Sequence, residues 1–396
     1  MRILFVAPWV PSPMRPRSLA LLRTLAAEHE VRFLSLVHNE AEVRLADDLP
    51  VPVRTLVPNP RPGALVRTLR ALVTGRSLQH GYASPRALTA ALETILDDWR
   101  PDAVHLNVFR TVHLVETCGR TPVIVDLDEF RSEYYEQLAA HGPNLAWRTL
   151  GRIESRRMRA REDELVRMGV PLMLSAPPSH GAMRPNTYLV RSPYDFPARR
   201  RDTGPAAEHG AETAPMVLFV GRLSYEANVA GLLWFVRECW NGIRQGVPDA
   251  RLRIVGSDPP RVVQSLVRNG NGIELFADVP EIEPHYEVAT VAIAPIFRGT
   301  GVQMKLIQSL AAGVPTVTTA TVADRAGVRD DVHVRIAEDP QSWTTAVIGM
   351  LNREPGTEQL AAEGRRWAVA EHSLSAVSRQ LDLAYTSVSG APAMQP

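Results

Sequence analysis

Lys305 is the residue with the clearest chemical potential, because it is the only lysine among the 44 lysine and arginine residues of the chain. Gly299 and Gly301 precede it, and residues 302–312 have the apolar spacing of a helix. Glycine lets backbone amides approach a ligand, and a helix N-terminus presents unpaired N–H groups to an anion. Lysine adds a compact point charge there, where arginine would bring a planar fork. The segment therefore predicts a phosphate site, although a single lysine can also fall here by chance.

The elements that would position this site alternate between strand and helix. Two apolar runs, residues 3–8 and 217–222, share the sequence Leu-Phe-Val and are typical of parallel strands covered on both faces. A polar loop and a helical pattern follow each run, at residues 19–29 and 229–244. Further strands are predicted at residues 31–37, 103–106, 123–125, 172–175, 251–255, 273–276, 291–294 and 316–319. This alternation predicts two α/β, Rossmann-like doubly wound domains facing a cleft, with ligands at the carboxyl ends of the strands.

Composition excludes several classes of protein. The 396 residues suffice for two or three domains, and 45% apolar with 22% charged residues is ordinary for a globular chain. The net charge of +1 gives no reason to expect nucleic acid. Cys118 and Cys239 lie far apart, which argues against a zinc site or a disulfide scaffold and favours a cytoplasmic location. No apolar stretch has the length of a transmembrane helix, and Pro8 ends the first apolar run too early for a signal peptide.

Four segments of the second half carry a family resemblance. In order, they are residues 220–223 (Val-Gly-Arg-Leu), 250–256 (Ala-Arg-Leu-Arg-Ile-Val-Gly), 295–301 and 305–315. They resemble the donor-binding domain of family 4 glycosyltransferases, which have the GT-B fold of two Rossmann-like domains. The variant Ser-Tyr-Glu-Ala-Asn at residues 224–228 is similar to a subgroup with a glycine-rich loop in place of the usual two-glutamate motif. The first half is similar more weakly, at residues 102–106, 125–128 and 188–193.

The resemblance implies a donor site in the second half. Arg222 would contact the donor diphosphate, and the lysine that usually follows five residues later is Ala227 here. Lys305 would then supply the cation that the departing diphosphate needs. Thr300 and Gln308 occupy the positions of the two glutamates, and Gln308 would accept hydrogen bonds from the ribose more weakly than a carboxylate. The implied donor-binding residues are Gly221, Arg222, Gly256, Gly299, Thr300, Gly301, Lys305 and Gln308.

The implied acceptor side lies in the first half. Family members often carry a histidine near the sugar, and Asp126 stands at that position, which makes it a catalytic candidate with Arg222 and Lys305. Asp126 and Asp128 also form an Asp-x-Asp pair, and hard divalent metal ions favour such carboxylates. The pattern of two Rossmann-like domains argues against metal binding here. An aspartate at the end of a strand is also often only a helix cap. The acceptor-side candidates are Arg15, Arg17, His105 and Asp128. Alternatively, Arg15, Arg17 and Ser18 are solvated surface residues, and His105 is a histidine of the core.

A basic helix is predicted near residues 152–167. Its arginines could rest on anionic lipid. However, Glu154, Glu162, Asp163 and Glu164 interleave with these arginines at helical spacing. A solvated, self-paired helix is therefore the preferred interpretation, and membrane contact is a secondary hypothesis.

These patterns together predict a retaining, metal-independent glycosyltransferase that uses a nucleotide-sugar donor and no cofactor. Its acceptor, a small molecule, glycan or lipid, is not identified by the sequence, and a homo-oligomer or partner protein is left open. We predict an acceptor domain at residues 1–193, a linker at 194–215 and a donor domain at 216–368. The resemblance implies that a helix at 369–387 crosses back to the first domain. The alternatives are a non-catalytic nucleotide-sugar-binding subunit and a nucleotide-sugar 2-epimerase.

Overall fold

The computed structural model describes residues 1–12, 14–179, 182–195, 214–267 and 270–389. The chain divides into two compact units, Met1–Pro193 with the C-terminal segment from Leu374, and Tyr194–Ser373. Most of the predicted linker, residues 196–213, lies outside the described residues.

The first unit is built on a seven-stranded parallel sheet. Its strands are β1 (Arg2–Ala7), β2 (Glu30–Val37), β3 (Val53–Pro58), β4 (Ala103–Asn107), β5 (Val123–Asp128), β6 (Leu172–Leu174) and β7 (Thr187–Leu189). They lie in the order β3-β2-β1-β4-β5-β6-β7. The order reverses between β1 and β4, and ligands of doubly wound sheets collect outside the carboxyl ends of strands at such a point.

Helices cover both faces of this sheet. They are α1 (Pro16–Glu28), α2 (Glu40–Asp47), α3 (Arg61–Val73), α4 (Leu78–Ala83), α5 (Arg86–Trp99), α6 (Arg131–His141) and α7 (Leu145–Arg167), with 3₁₀ turns at Phe109–Leu114 and Glu116–Cys118. In β1, Leu4 and Val6 enter one apolar layer, and Ile3, Phe5 and Ala7 enter the other. Because both faces are buried, the strand is an uninterrupted apolar run in the sequence.

The second unit repeats this plan with a six-stranded parallel sheet in the order β10-β9-β8-β11-β12-β13. Its strands are β8 (Met216–Val220), β9 (Arg251–Gly256), β10 (Ile273–Ala277), β11 (Val291–Ala294), β12 (Thr316–Thr318) and β13 (Arg335–Ile336). Its helices are α8 (Glu226–Glu238), α9 (Trp240–Gly246), α10 (Arg261–Gln264), α11 (Glu283–Glu287), α12 (Met304–Ala311), α13 (Ala320–Ala326), α14 (Pro340–Leu351) and α15 (Thr357–His372).

The C-terminal helix, α16 (Leu374–Ser389), belongs to the first unit. Val377, Leu381 and Tyr385 are buried in the same apolar layer as Phe5. Strand β1 and helix α16 therefore share one core. Among the described helices, none is both long and apolar enough to cross a membrane.

The strands that the sequence predicted are confirmed with small shifts at their ends. The edge strands β3, β7 and β13 were not predicted, because β3 is partly exposed and the other two are very short. The helical pattern expected at residues 229–244 is confirmed, but it forms two consecutive helices and not one. The chain instead turns at Cys239 and forms α8 and α9, which brings both Phe235 and Trp240 into the core.

Candidate active site

Two glycines bring the carboxyl ends of β8 and β9 together in the second unit. The amide of Gly221 donates to the Val255 carbonyl oxygen at 2.9 Å. A Cβ atom on Gly256 would lie 1.9 Å from the Gly221 carbonyl oxygen, closer than any side chain could be placed. Glycine at position 256 is therefore a requirement of strand packing.

Lys305 lies in the first turn of α12 and points toward these strand ends. Its Nζ donates to Asn228 Oδ1 at 2.6 Å and to Gln303 Oε1 at 3.2 Å. A Cβ atom on Gly221 would lie 3.1 Å from Lys305 Cε and 2.9 Å from Asn228 Nδ2. The absence of a side chain at position 221 thus gives both residues the space that they occupy.

The Lys305 ammonium is buried and held by neutral groups. Only 9% of the residue is exposed, and the described hydrogen-bond partners of its Nζ are two amide oxygens. Burial lowers its pKa from 10.5 to about 7. A carboxylate would counter this effect by favouring the charged form. The described site therefore holds an amine whose protonated form an incoming anion would stabilise.

Asn228 connects Lys305 to the loop that carries Arg222. Its Nδ2 donates to the Arg222 carbonyl oxygen at 2.8 Å while its Oδ1 accepts from Lys305. The Arg222 side chain is 57% exposed; its Nε donates to Ser224 Oγ at 2.9 Å and lies 3.8 Å from an Asp258 carboxylate oxygen. Arg222 is thus available to a ligand in solution, whereas Lys305 is fixed in place.

Sequence reasoning missed the contribution of Asn228, because it concentrated on the neighbouring Ala227. Ala227 packs against an apolar cluster. Asn228 lies with Leu232 and Phe235 on the buried face of α8. A polar amide on the apolar face of a helix was the signal that could have identified it.

The glycine loop before α12 differs from the expected helix start. The helix begins at Met304, two residues later than predicted, with Gln303 at its N-cap. Neither Gly299 nor Gly301 has a positive φ. Thr300, between them, is 5% exposed. These glycines therefore lie in the loop ahead of the helix and are not part of its first turn. The predicted helix stop is confirmed, since Gly313 has φ +69° just after α12.

Gln308 lies one turn after Lys305 and is partly buried. Its Oε1 accepts a hydrogen bond from the Tyr286 hydroxyl at 3.5 Å. Burial raises the pKa of Tyr286 well above 10, so the phenol stays protonated as a donor. This long, weak contact involves the side-chain oxygen that the family resemblance assigns to the nucleotide ribose.

In the first unit, Asp126 is the centre of a buried polar network. Its carboxylate accepts from Arg17 Nη2 at 2.6 Å and Nε at 3.2 Å, from Asn107 Nδ2 at 3.1 Å and from the Asp128 amide at 3.2 Å. Ser18 Oγ extends the network by donating to Asn107 Oδ1 at 2.7 Å. Asp126 has no exposed surface. This geometry favours a structural role for Asp126 over contact with a sugar.

Arg17 is correspondingly not the solvated arginine that one interpretation expected. It is 8% exposed, and its Nη1 also donates to the Val190 carbonyl oxygen at 2.8 Å. Burial alone would lower its pKa, but the carboxylates of Asp126 and Asp128 raise it above its ordinary value. The guanidinium lies 2.6 Å from Asp126 and 3.4 Å from Asp128 and therefore pairs with both carboxylates.

His105 belongs to the core. It is fully buried, its ring stacks on Phe5 with centroids 4.5 Å apart, and its Nδ1 shares a 2.9 Å hydrogen bond with the Tyr385 hydroxyl. Burial, followed by the nearby Arg17 cation, lowers its pKa to about 3, so the imidazole is neutral. Of the two interpretations of this histidine, the structure favours the core residue.

Arg15 and Asp128 remain accessible at the carboxyl edge of the first sheet. The Arg15 side chain is 34% exposed, and the Asp128 side chain is 43% exposed. Asp128 has φ +65°, at an irregularity in the pairing of β5 with β6. Strained backbone at a strand end is a frequent feature of ligand sites.

The predicted basic helix is α7, and its pairing is more extensive than expected. Arg161 contacts Glu164 at 2.7 Å within the helix. Glu154 and Glu162, however, are fully buried, so the expectation of a solvated helix is wrong on that face. Glu162 accepts from the Ser132 amide at 3.0 Å and hydroxyl at 2.6 Å, and burial raises its pKa to about 7. The reason is that α6 packs against α7.

The second unit is similar in sequence to known proteins. Residues 214–353 match the family model of group 1 glycosyl transferases. This range contains Lys305, Asn228 and the glycine loop. The chain is also 24% identical over 152 residues to a Klebsiella pneumoniae protein named "Uncharacterized 44.6 kDa protein in cps region". That alignment spans 37% of this chain and 39% of the relative.

Solved structures extend the similarity to nearly the whole chain. The Anabaena protein HepE, solved in complex with UDP, aligns with a TM-score of 0.69 and 13% identity over 98% of this chain and all of its own. A glycosyltransferase of Rickettsia africae aligns with a TM-score of 0.68 and 12% identity over 99% of both chains. At these identities the likeness establishes the fold. The two Rossmann-like units are those of the GT-B fold, as the sequence analysis predicted.

Proposed function

We propose that the protein transfers a sugar from a nucleotide-diphosphate donor to an acceptor hydroxyl, with retention of configuration and without a metal ion or cofactor. The observation that carries this proposal is the buried Lys305 amine, which donates to the neutral amides of Asn228 and Gln303 at the N-terminus of α12. A helix N-terminus favours a negatively charged group, and such a group would favour the protonated form of the lysine beside it. The family match covers the same residues.

In the proposed reaction, the bond between the anomeric carbon and the diphosphate oxygen breaks and a bond to the acceptor oxygen forms. The acceptor proton passes to the departing diphosphate, which gathers negative charge. Lys305 would stabilise that charge from a fixed position, and the exposed Arg222 would fold over the diphosphate. Backbone amides at residues 299–301 and the free end of α12 would add further donors. Gln308 would contact the ribose.

Retention is consistent with the site because, in the resembling family, it needs no protein nucleophile. Metal independence rests on the side chains: Lys305 and Arg222 would supply the positive charge that a divalent ion otherwise brings to a diphosphate. Undiminished activity in excess chelator is the expected result. Loss of activity on chelation, with recovery on adding Mg²⁺ or Mn²⁺, would contradict this part of the proposal.

Uridine nucleotides are the first donors to test, because the related HepE was solved with UDP and with UDP-glucose. The acceptor is not needed for a first assay, since water can accept the sugar slowly. Release of the nucleoside diphosphate from purified protein therefore measures the cleavage step. A thermal-shift panel of nucleotide sugars selects the donor, because a ligand at 100 times its dissociation constant adds about 2.7 kcal/mol of stability.

The decisive variants are Lys305→Ala and Lys305→Arg, with Arg237→Ala as a control that removes one cation whose side chain is 71% exposed. A charge-assisted contact is worth about 1.5–3 kcal/mol, so Lys305→Ala should slow release by about 10- to 150-fold. Lys305→Arg should also be impaired, because a planar fork cannot occupy the space of the ammonium. Full activity in Lys305→Ala would refute the proposal. Nucleotide-sugar binding without release or transfer would instead indicate a non-catalytic binding subunit.

A further inference from the structure

Three arginines of the first unit follow neighbouring strand ends at the point where the strand order reverses. Arg15 follows β1, Arg110 follows β4, and Arg131 follows β5. All three come from loops or first turns at the carboxyl edge of the sheet. They are distinct from Arg17, which is buried in its pair with Asp126.

Aromatic rings hold the Arg110 guanidinium. Its Cζ lies 5.1 Å from the centre of the Trp9 ring and 5.2 Å from that of Tyr82. The Arg15 guanidinium lies over the same Trp9 ring at 4.5 Å. Such cation–π contacts fix the position of a guanidinium without using its N–H groups.

Arg110 differs from its neighbours in its hydrogen bonds. Arg15 lies 3.7 Å from Glu42, and Arg131 pairs with Glu129 at 2.6 Å. For the Arg110 guanidinium, the described residues provide neither a carboxylate nor a hydrogen-bond acceptor within bonding distance. Its five N–H donors are therefore uncommitted within the described part of the chain.

The surroundings of Arg110 also favour an added negative charge. Burial lowers its pKa, and the cations of Arg131 and Arg15 lower it further, while the phenols of Tyr82 and Tyr135 partly offset them. A half-buried guanidinium between two like charges gains more from an anion than an exposed one does. Planar guanidinium groups bind carboxylates and phosphates through two parallel hydrogen bonds.

We propose that Arg110, positioned by Trp9 and Tyr82, binds an oxyanion on the acceptor, so that the acceptor is an anionic sugar such as a sugar phosphate or a sugar acid. This inference rests on the proposed function, because it names the class of acceptor for the same reaction. The site lies on the first unit, separate from the Lys305 site that would take the donor diphosphate.

The test compares glucose 6-phosphate, glucuronate and glucose as probes, with dissociation constants measured by saturation-transfer NMR. The variants are Arg110→Gln and Arg110→Lys. Arg23→Gln is the matched control, since Arg23 is an exposed arginine of α1. Lys305→Ala reports whether a probe occupies the donor site instead. UDP-glucose binding, measured on the same samples, reports both folding of the second unit and the proposed donor site.

We expect the wild-type protein to prefer the two anionic sugars over glucose. Arg110→Gln should weaken their binding by about 10- to 100-fold, Arg110→Lys should do so less, and glucose binding should not change. Arg23→Gln and Lys305→Ala should keep the preference. The wild-type protein showing no preference, Arg110→Gln keeping it, or Lys305→Ala abolishing it would each overturn the inference.

The two proposals fail separately in this design. If UDP-glucose binds but no anionic preference depends on Arg110, the acceptor inference fails and the donor site stands. If nucleotide sugars do not bind while anionic sugars bind through Arg110, the proposed function fails and the oxyanion site stands without its assignment as an acceptor site. A preference for only one of the two probes would identify the oxyanion as phosphate or carboxylate.

Discussion

Binding of a nucleotide sugar should be accompanied by uptake of a proton, and Lys305 should be the group that accepts it. Burial lowers the pKa of this lysine to about 7 in the ligand-free protein. A bound diphosphate would favour the ammonium and return its pKa toward the ordinary value of 10.5. Between these two values the free protein holds a neutral amine and the complex holds a cation. Nucleotide-sugar binding is therefore linked to protonation in this window.

The magnitude follows from the two pKa values. At pH 8 a group with a pKa of about 7 is roughly 10% protonated, so binding should take up about 0.9 proton, against about 0.1 proton at pH 6. Because binding takes up a proton, the affinity for the nucleotide sugar should fall as pH rises, by about tenfold between pH 6 and pH 8. A sugar nucleotide is a better ligand for this test than a free diphosphate, because its esterified diphosphate does not titrate in the same range.

Isothermal titration calorimetry measures this uptake directly, by comparing binding enthalpies in buffers of different ionisation enthalpy. Lys305→Met keeps the volume of the side chain and removes the titrating amine, so its binding should be weaker and independent of pH over this range. Proton uptake near zero at pH 8 in a wild-type protein that binds the donor would refute the reasoning. The same uptake in Lys305→Met would also refute it, since the proton would then belong to another group.

Three further predictions concern stability, each measured by urea unfolding. Burial raises the pKa of Glu162 from 4.5 to about 7, so between these pH values the folded protein binds more protons than the unfolded chain and loses stability as pH rises. Glu162→Gln should remove this loss and should be more stable than the wild-type protein by on the order of 3 kcal/mol at pH 8. Parallel pH profiles of stability for the two proteins would contradict the assignment. Gly256→Ala would place a Cβ atom 1.9 Å from a carbonyl oxygen and should lower stability by about 3 kcal/mol or more. In the control Gly299→Ala, the new Cβ atom would lie 3.3 Å from the end of a side chain, and stability should change by less than about 0.5 kcal/mol. Equal losses of stability in the two variants would count against the packing argument. Asp126→Asn removes the nearer of the two carboxylates that pair with the buried Arg17 and should cost about 3 kcal/mol, and a neutral effect would show that this pair does not stabilise the fold.

The sequence alone was sufficient for the alternation of buried strands and helices in both units, because strands buried on both faces appear as local apolar runs and helices end at recognisable residues. The runs that became β1 and β8 could be recognised from a few consecutive residues. The helix stop at Gly313 needed only the local backbone requirement for a positive φ. Lys305 was identifiable for the same reason, since its rarity and its glycine-rich neighbourhood are properties of the sequence.

Tertiary structure decided which side chains face a ligand and which support the fold. Arg17 and Asp126 are 109 residues apart, and only the adjacency of β1, β4 and β5 brings them into a buried pair. Lys305 and Asn228 are 77 residues apart and meet because α8 and α12 both start at the carboxyl edge of one sheet. Hydrogen bonds and burial depend on neighbours that are distant along the chain, so residue type could nominate these positions but could not assign their partners.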